Sequence, residues 1–131
     1  MEQNEKTKAL LAAFGCALAY LLAGKVLAAV LPQVPEEAAR MWAFVHRCAA
    51  APIVEELVFR GIIQQQARPL GERQAVALQA VLFAVQHRGP AGMAYALVCG
   101  LVLGTLRSRT GSVWPGMLLH TLNNLLVFAA G

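Results

Sequence analysis

The run Ala9–Leu31 holds 23 residues and a single charge, Lys25. As a helix rising about 1.5 Å per residue it reaches about 34 Å, enough to cross the hydrocarbon core of a bilayer. It is too long for the apolar region of a cleaved leader and carries Lys25 near its end, so it reads as a retained transmembrane helix. Lys25 is expected to lift its ammonium toward the interface. Four further apolar segments follow, at Met41–Gln66, Gln74–His87, Ala91–Leu106 and Ser112–Ala130. The stretches between them are polar or broken: Pro32–Arg40 with two prolines, 67–73, Gly89-Pro90 and 107–111. Hydrophobic residues make up 58% and charged residues 14% of the chain. A soluble globule of this size needs more polar surface than that. The expectation is an all-α, multi-pass helical membrane protein of about five transmembrane helices, with a polar site buried between them. Residues 1–40 would form an N-terminal helix and loop, and 41–131 a core of about four helices.

Basic residues orient such a chain. With Lys6 and Lys8 inside, Arg68, Arg73, Arg107 and Arg109 also fall inside, leaving Arg40 and Arg88 outside. Six against two follows the positive-inside rule and predicts a cell-membrane protein with a cytoplasmic N-terminus. The net charge of +4 is spread singly between apolar runs, which fits loop orientation and excludes a nucleic-acid surface. The three cysteines, Cys16, Cys48 and Cys99, are scattered in apolar runs and read as packing residues. Gly92, Ala96, Gly100 and Gly104 recur every four residues, a small-residue stripe that lets a neighbouring helix approach closely. Pro52 is expected to kink the second segment or to begin a new helical stretch, and Glu36-Glu37-Ala-Ala-Arg40 reads as a solvated loop.

No aspartate occurs, and the only serines, Ser108 and Ser112, flank a loop. Ser-His-Asp catalysis and paired aspartates are therefore excluded, as is the H-E-x-x-H zinc helix. Ionisable groups inside a span are costly and mark function by default. The second segment has three in Glu55-Glu56-Leu-Val-Phe-Arg60. Successive helical residues diverge by about 100°, so the two carboxylates are not expected to serve one target equally. Glu56 and Arg60, at i and i+4, suit a structural ion pair, leaving Glu55 for chemistry. Gln79, Phe83 and His87 form an i, i+4, i+8 stripe, and His120 and Asn124 share a face. Counted from the inner loops, Glu55 lies about 15 Å deep, His87 about 20 Å, His120 about 12 Å and Asn124 about 18 Å. A carboxylate, two imidazoles and an amide thus meet in one band.

That set suits hydrolysis of an amide by an activated water, with Glu55 as base, His87 sharing its proton, and His120 and Asn124 donating to an oxyanion. Glu55, His87 and His120 could instead ligate a catalytic zinc. Interhelical hydrogen bonding or a proton path is a third reading.

Glu55-Glu56-x-x-x-Arg60, Phe83-x-x-x-His87 and His120-x-x-x-Asn124, with Ala51–Gly61 and Arg109–Pro115 around them, resemble the CPBP family of intramembrane glutamic endopeptidases. This family, also called Abi, includes CAAX proteases of the type II prenyl endopeptidase kind and bacteriocin-processing enzymes; the likeness covers about 41–131. The resemblance implies a peptidase without a metal or other cofactor. Glu55 and His87 would activate water, His120 and Asn124 would form the oxyanion site, and Glu56, Arg60 and Phe83 would support them. It also implies a membrane-embedded or lipidated peptide or protein substrate, and flanking helices supplied by an oligomer or partner where this chain has fewer than its relatives. A non-catalytic immunity or binding protein of the family is the alternative. Positive-inside counting puts His87 near the outer face whereas CAAX-type relatives act on cytosolic substrates, so the side of opening stays undecided.

Overall fold

A computed structural model describes all 131 residues and contains helices only. α1 covers Glu2–Val30. α2 runs without a break from Glu36 to Leu70, α3 covers Glu72–Ala84, α4 Gly89–Thr110 and α5 Trp114–Ala130. Two of the five helices, α1 and α4, are long and apolar enough to cross a membrane. That is fewer than the five spans expected. α3 has 13 residues and reaches only about 20 Å. α5, with 17, reaches about 26 Å, and α2 carries its charged residues at intervals throughout.

α2 corrects one sequence expectation and meets another. Its first segment, Glu36–Val45, takes in the stretch expected to be a solvated loop. Pro35 precedes it with a φ of −54°, already near the helical value, and Glu36 and Glu37 place negative charge against the positive end of the helix dipole. Pro52 stands in the first turn of a new α-helical stretch, Ala51–Glu55, as the sequence allowed. It follows a π-helical turn at His46–Ala50, where the Ala51 N–H reaches back five residues to the His46 carbonyl. Such a wider turn relieves the ladder where proline has no N–H to offer. A second π stretch covers Glu56–Ile63, closed by the Gln64 N–H on the Phe59 carbonyl.

α3 also differs from expectation, ending at Ala84 rather than at His87. The Gln86 and His87 N–H groups fold back three residues, to Phe83 and Ala84. The cause lies just ahead, where Arg88 turns extended and Gly89 adopts a φ of +73° before Pro90. At the other end, Gly71 takes a φ of +114° between α2 and α3, a conformation closed to side-chain-bearing residues.

The helices meet through small residues. Ala9, Ala13 and Ala17 are the buried face of α1, and Ala13 and Ala17 pack with Phe59, Ile63, Leu82 and Phe83 in the central cluster. Gly100 of α4 lies so close to α3 that a methyl group on it would stand 2.9 Å from the Ala80 Cα. The approach is fastened by Gln79, whose Nε2 donates to the Gly100 carbonyl at 2.7 Å, and by Gln64, which donates to the Gly104 carbonyl at 2.9 Å. Gly92, at the start of the stripe, faces open space. Only 24 of 131 residues are buried, while Leu11, Val26, Val98, Leu118 and Leu126 turn outward. Polar groups inside and apolar groups outside is the arrangement suited to a lipid solvent.

Gly100→Ala should therefore force α3 and α4 apart and cost about 1–3 kcal/mol. Gly92→Ala should stay within about 0.5 kcal/mol of wild type. Unfolding midpoints of the two variants in detergent measure the difference.

Candidate active site

The π stretch of α2 begins immediately after Glu55, so the two glutamates straddle the change in helical pitch. A wider turn rotates successive side chains through less than the usual ~100°. Both carboxylates reach the same imidazole, though unequally, as their divergence on the helix requires. His120 Nδ1 lies 2.9 Å from Glu56 Oε1 and His120 Nε2 lies 3.5 Å from Glu55 Oε2. A ring with a nitrogen on each side bridges the divergence that remains. Because a carboxylate accepts, Nδ1 carries the proton toward Glu56.

Behind this contact, Arg60 Nη1 stands 3.4 Å from Glu56 Oε1, with both side chains wholly buried. The Arg60 guanidinium also lies over the Phe83 ring, 4.4 Å from its centre. Phe83 meets His87 at 4.7 Å and His120 at 5.9 Å between ring centres, both edge-on, and touches Phe59 at 5.1 Å. Gly116 of α5 makes room for the Glu56 carboxylate: a methyl there would come within 2.8 Å of Oε2.

His87 lies beyond the end of α3, on the turn, yet its Nδ1 still donates to the Phe83 carbonyl at 3.0 Å. That bond fixes the proton on Nδ1 and leaves Nε2 as the acceptor in the neutral ring. Asn124 is held at both ends of its amide. Its Nδ2 donates to the Arg47 carbonyl at 2.8 Å, and its Oδ1 accepts from Asn123 Nδ2 at 3.3 Å. Asn123 Oδ1 in turn accepts from the Tyr95 hydroxyl. One hydrogen of the Asn124 amide remains uncommitted.

Glu55, His87, His120 and Asn124 all line one cavity of about 750 Å³. Phe83 contributes to its wall, as do Tyr95 and Asn123, which the sequence reading did not single out. Asn123 adjoins Asn124, and an asparagine pair in an apolar segment was a usable signal; Tyr95 had none. Glu56 and Arg60 do not line this cavity; both are buried behind His120 and Phe83. No group of three or more His, Cys or Glu side chains is arranged to hold a metal ion. The zinc reading therefore finds no preformed ligand set.

The model of the type II CAAX prenyl endopeptidase Rce1-like family matches residues 37–126, more than two thirds of the chain. The chain belongs to this family. No curated protein and no solved structure matches it. The matched span includes every residue of the cavity's polar wall, from Arg40 to Asn124, and the Rce1-like family is one of membrane-embedded peptidases.

Removing one partner of a buried pair strands the other charge. Arg60→Met should destabilise the protein by about 3–5 kcal/mol. Combining it with Glu56→Gln should recover a large part of that loss, and a double-mutant cycle of unfolding free energies measures the coupling.

Proposed function

We propose that this Rce1-like chain is an intramembrane endopeptidase that cleaves a membrane-embedded or lipidated substrate with an activated water. The reading is carried by the convergence of Glu55, His87, His120 and Asn124 on one cavity beside a fully buried Glu56–Arg60 pair. Glu55 takes a proton from water as the oxygen attacks the peptide carbonyl carbon. His87, with Nε2 unprotonated, relays that proton. The carbonyl π electrons move to oxygen, and the oxyanion is met by the free Asn124 N–H and by His120 Nε2–H in the protonated ring. Collapse breaks the C–N bond, and the relayed proton leaves on the amine.

Glu56 and Arg60 act as positioning residues. Glu56 orients the His120 ring through Nδ1, and Arg60 balances the Glu56 charge in the buried interior. The hydrogen-bond series Tyr95–Asn123–Asn124 fixes the direction of the donor amide. Val127 and Phe128 give the cavity apolar walls suited to a hydrophobic or lipidated segment. We infer further that all five helices are embedded as a multi-pass unit with the N-terminus inside. The grouping of Lys6, Lys8, Arg68, Arg73, Arg107 and Arg109 in the loops and ends of one side supports this orientation.

Glu55→Gln should lower cleavage of a membrane-tethered or prenylated peptide by at least about 100-fold. Asn124→Ala should lower kcat by about 100–1,000-fold. Both variants should retain the wild-type unfolding midpoint to within a few degrees. Normal cleavage by Glu55→Gln would remove the base from the mechanism. A biological effect that survives both substitutions would instead identify a binding protein.

A further inference from the structure

A second cavity, of about 140 Å³, opens where the α2–α3 turn meets the end of α4. No hydrophobic residue lines it. Arg60 forms its floor, so the guanidinium that supports the active site on one side faces this cavity on the other. Arg68, Glu72, Arg107, Ser108 and Gln64 form its walls.

The donors in this cavity are in excess. Arg60 is fully buried, and its Nε, Nη1 and Nη2 have no hydrogen-bond acceptor. The buried Arg107 Nε also lacks one. Unsatisfied buried guanidinium donors are costly and call for an acceptor. Against these four donors the walls hold one buried acceptor without a partner, Gln64 Oε1, while the Glu72 carboxylate is engaged. Glu72 accepts from Ser108 at 2.5 Å and from Arg68 at 3.3 Å. The Ser108 hydroxyl, and secondarily Arg68, hold the Glu72 carboxyl below the usual carboxylate range, so it is ionised at neutral pH.

Charge narrows the missing group. Glu72 offsets Arg68, and Glu56 offsets Arg60 from the far side. Arg107 pairs with no carboxylate; its one partner is the Gln65 side-chain oxygen, 3.5 Å from Nη2. One positive charge is left over. Guanidinium groups recognise phosphate oxygens with directed pairs of N–H bonds. The volume admits several waters or one five-atom oxyanion.

We propose that this cavity binds a singly charged phosphate oxyanion, with Arg107 as the charge-bearing donor and Arg60 as the buried one. The group could be the phosphodiester of a lipid headgroup or free phosphate. A site beside the basic turns of a membrane bundle is accessible to both. This binding site is separate from the peptidase cavity and does not depend on the cleavage mechanism.

The full-length protein in detergent, freed of phospholipid, tests the proposal. Its unfolding midpoint is followed with added phosphatidylglycerol, with an uncharged galactolipid, and with inorganic phosphate against chloride at matched ionic strength. A rise with phosphatidylglycerol but not galactolipid or inorganic phosphate identifies a lipid headgroup, and a rise with inorganic phosphate identifies the free ion. Arg107→Gln should weaken either response at least tenfold in half-saturating concentration. Gln65→Glu sets a carboxylate beside Arg107 from an exposed position and should do the same without loss of fold. No response of the wild type to either phosphate source overturns the proposal. So does an undiminished response in Gln65→Glu.

Discussion

The structure is organised around a guanidinium with nowhere else to go. Arg60 is wholly enclosed, and the carboxylate nearest to it is Glu56, equally enclosed. A lone charge there would carry a desolvation penalty of several kcal/mol. Pairing limits that penalty, and the pair in turn dictates its surroundings. Glu56 needs space, which Gly116 provides, and a second donor, which is His120. Arg60 needs an electron-rich face, which is Phe83. From one buried ion pair the positions of α3 and α5 relative to α2 follow.

Much of this arrangement was legible beforehand. The i, i+4 spacing of Glu56 and Arg60 and the shared faces of His120–Asn124 and Phe83–His87 are properties of helical repeat alone, and depth counting from the loops brought them to one level. What was hidden was change of pitch. Nothing in Ala49-Ala50-Ala51-Pro52 or in Glu56–Ile63 states that the helix will widen, because the widening is selected by contacts with α1, α3 and α5. Hence the sequence expectation that Glu55 and Glu56 would not serve one target equally did not reveal that His120 touches both, from opposite ring nitrogens and at unequal distances. The extent of α3 was misjudged for a related reason. His87 keeps its helical neighbour Phe83 through a side-chain bond after the backbone has left the helix.

The number of spans illustrates a different limit. Apolar runs announce helices, but length decides whether a helix can cross lipid alone. α1 and α4 have that length. α3 is short yet tightly held, gripped by α4 through Gly100 and Gln79. Small residues and a glutamine clamp hold this short helix against its longer neighbour, the kind of close packing and internal hydrogen bonding that associates helices in lipid. The stripe in α4 was visible in the sequence, and so was Gln79, in register with Phe83 and His87; Gln64 of α2, which also answers the stripe, stood in a run of three glutamines with nothing to set it apart.

Phe83 has a consequence of another kind. One benzene ring serves as neighbour to both imidazoles, to the guanidinium and to Phe59. Four interactions sharing a single aromatic ring cannot be altered independently, so energies assigned to them one substitution at a time will not sum to the whole. The polar centre of this bundle therefore behaves as an indivisible unit, open to gradual evolutionary change at its periphery and resistant to it at that ring.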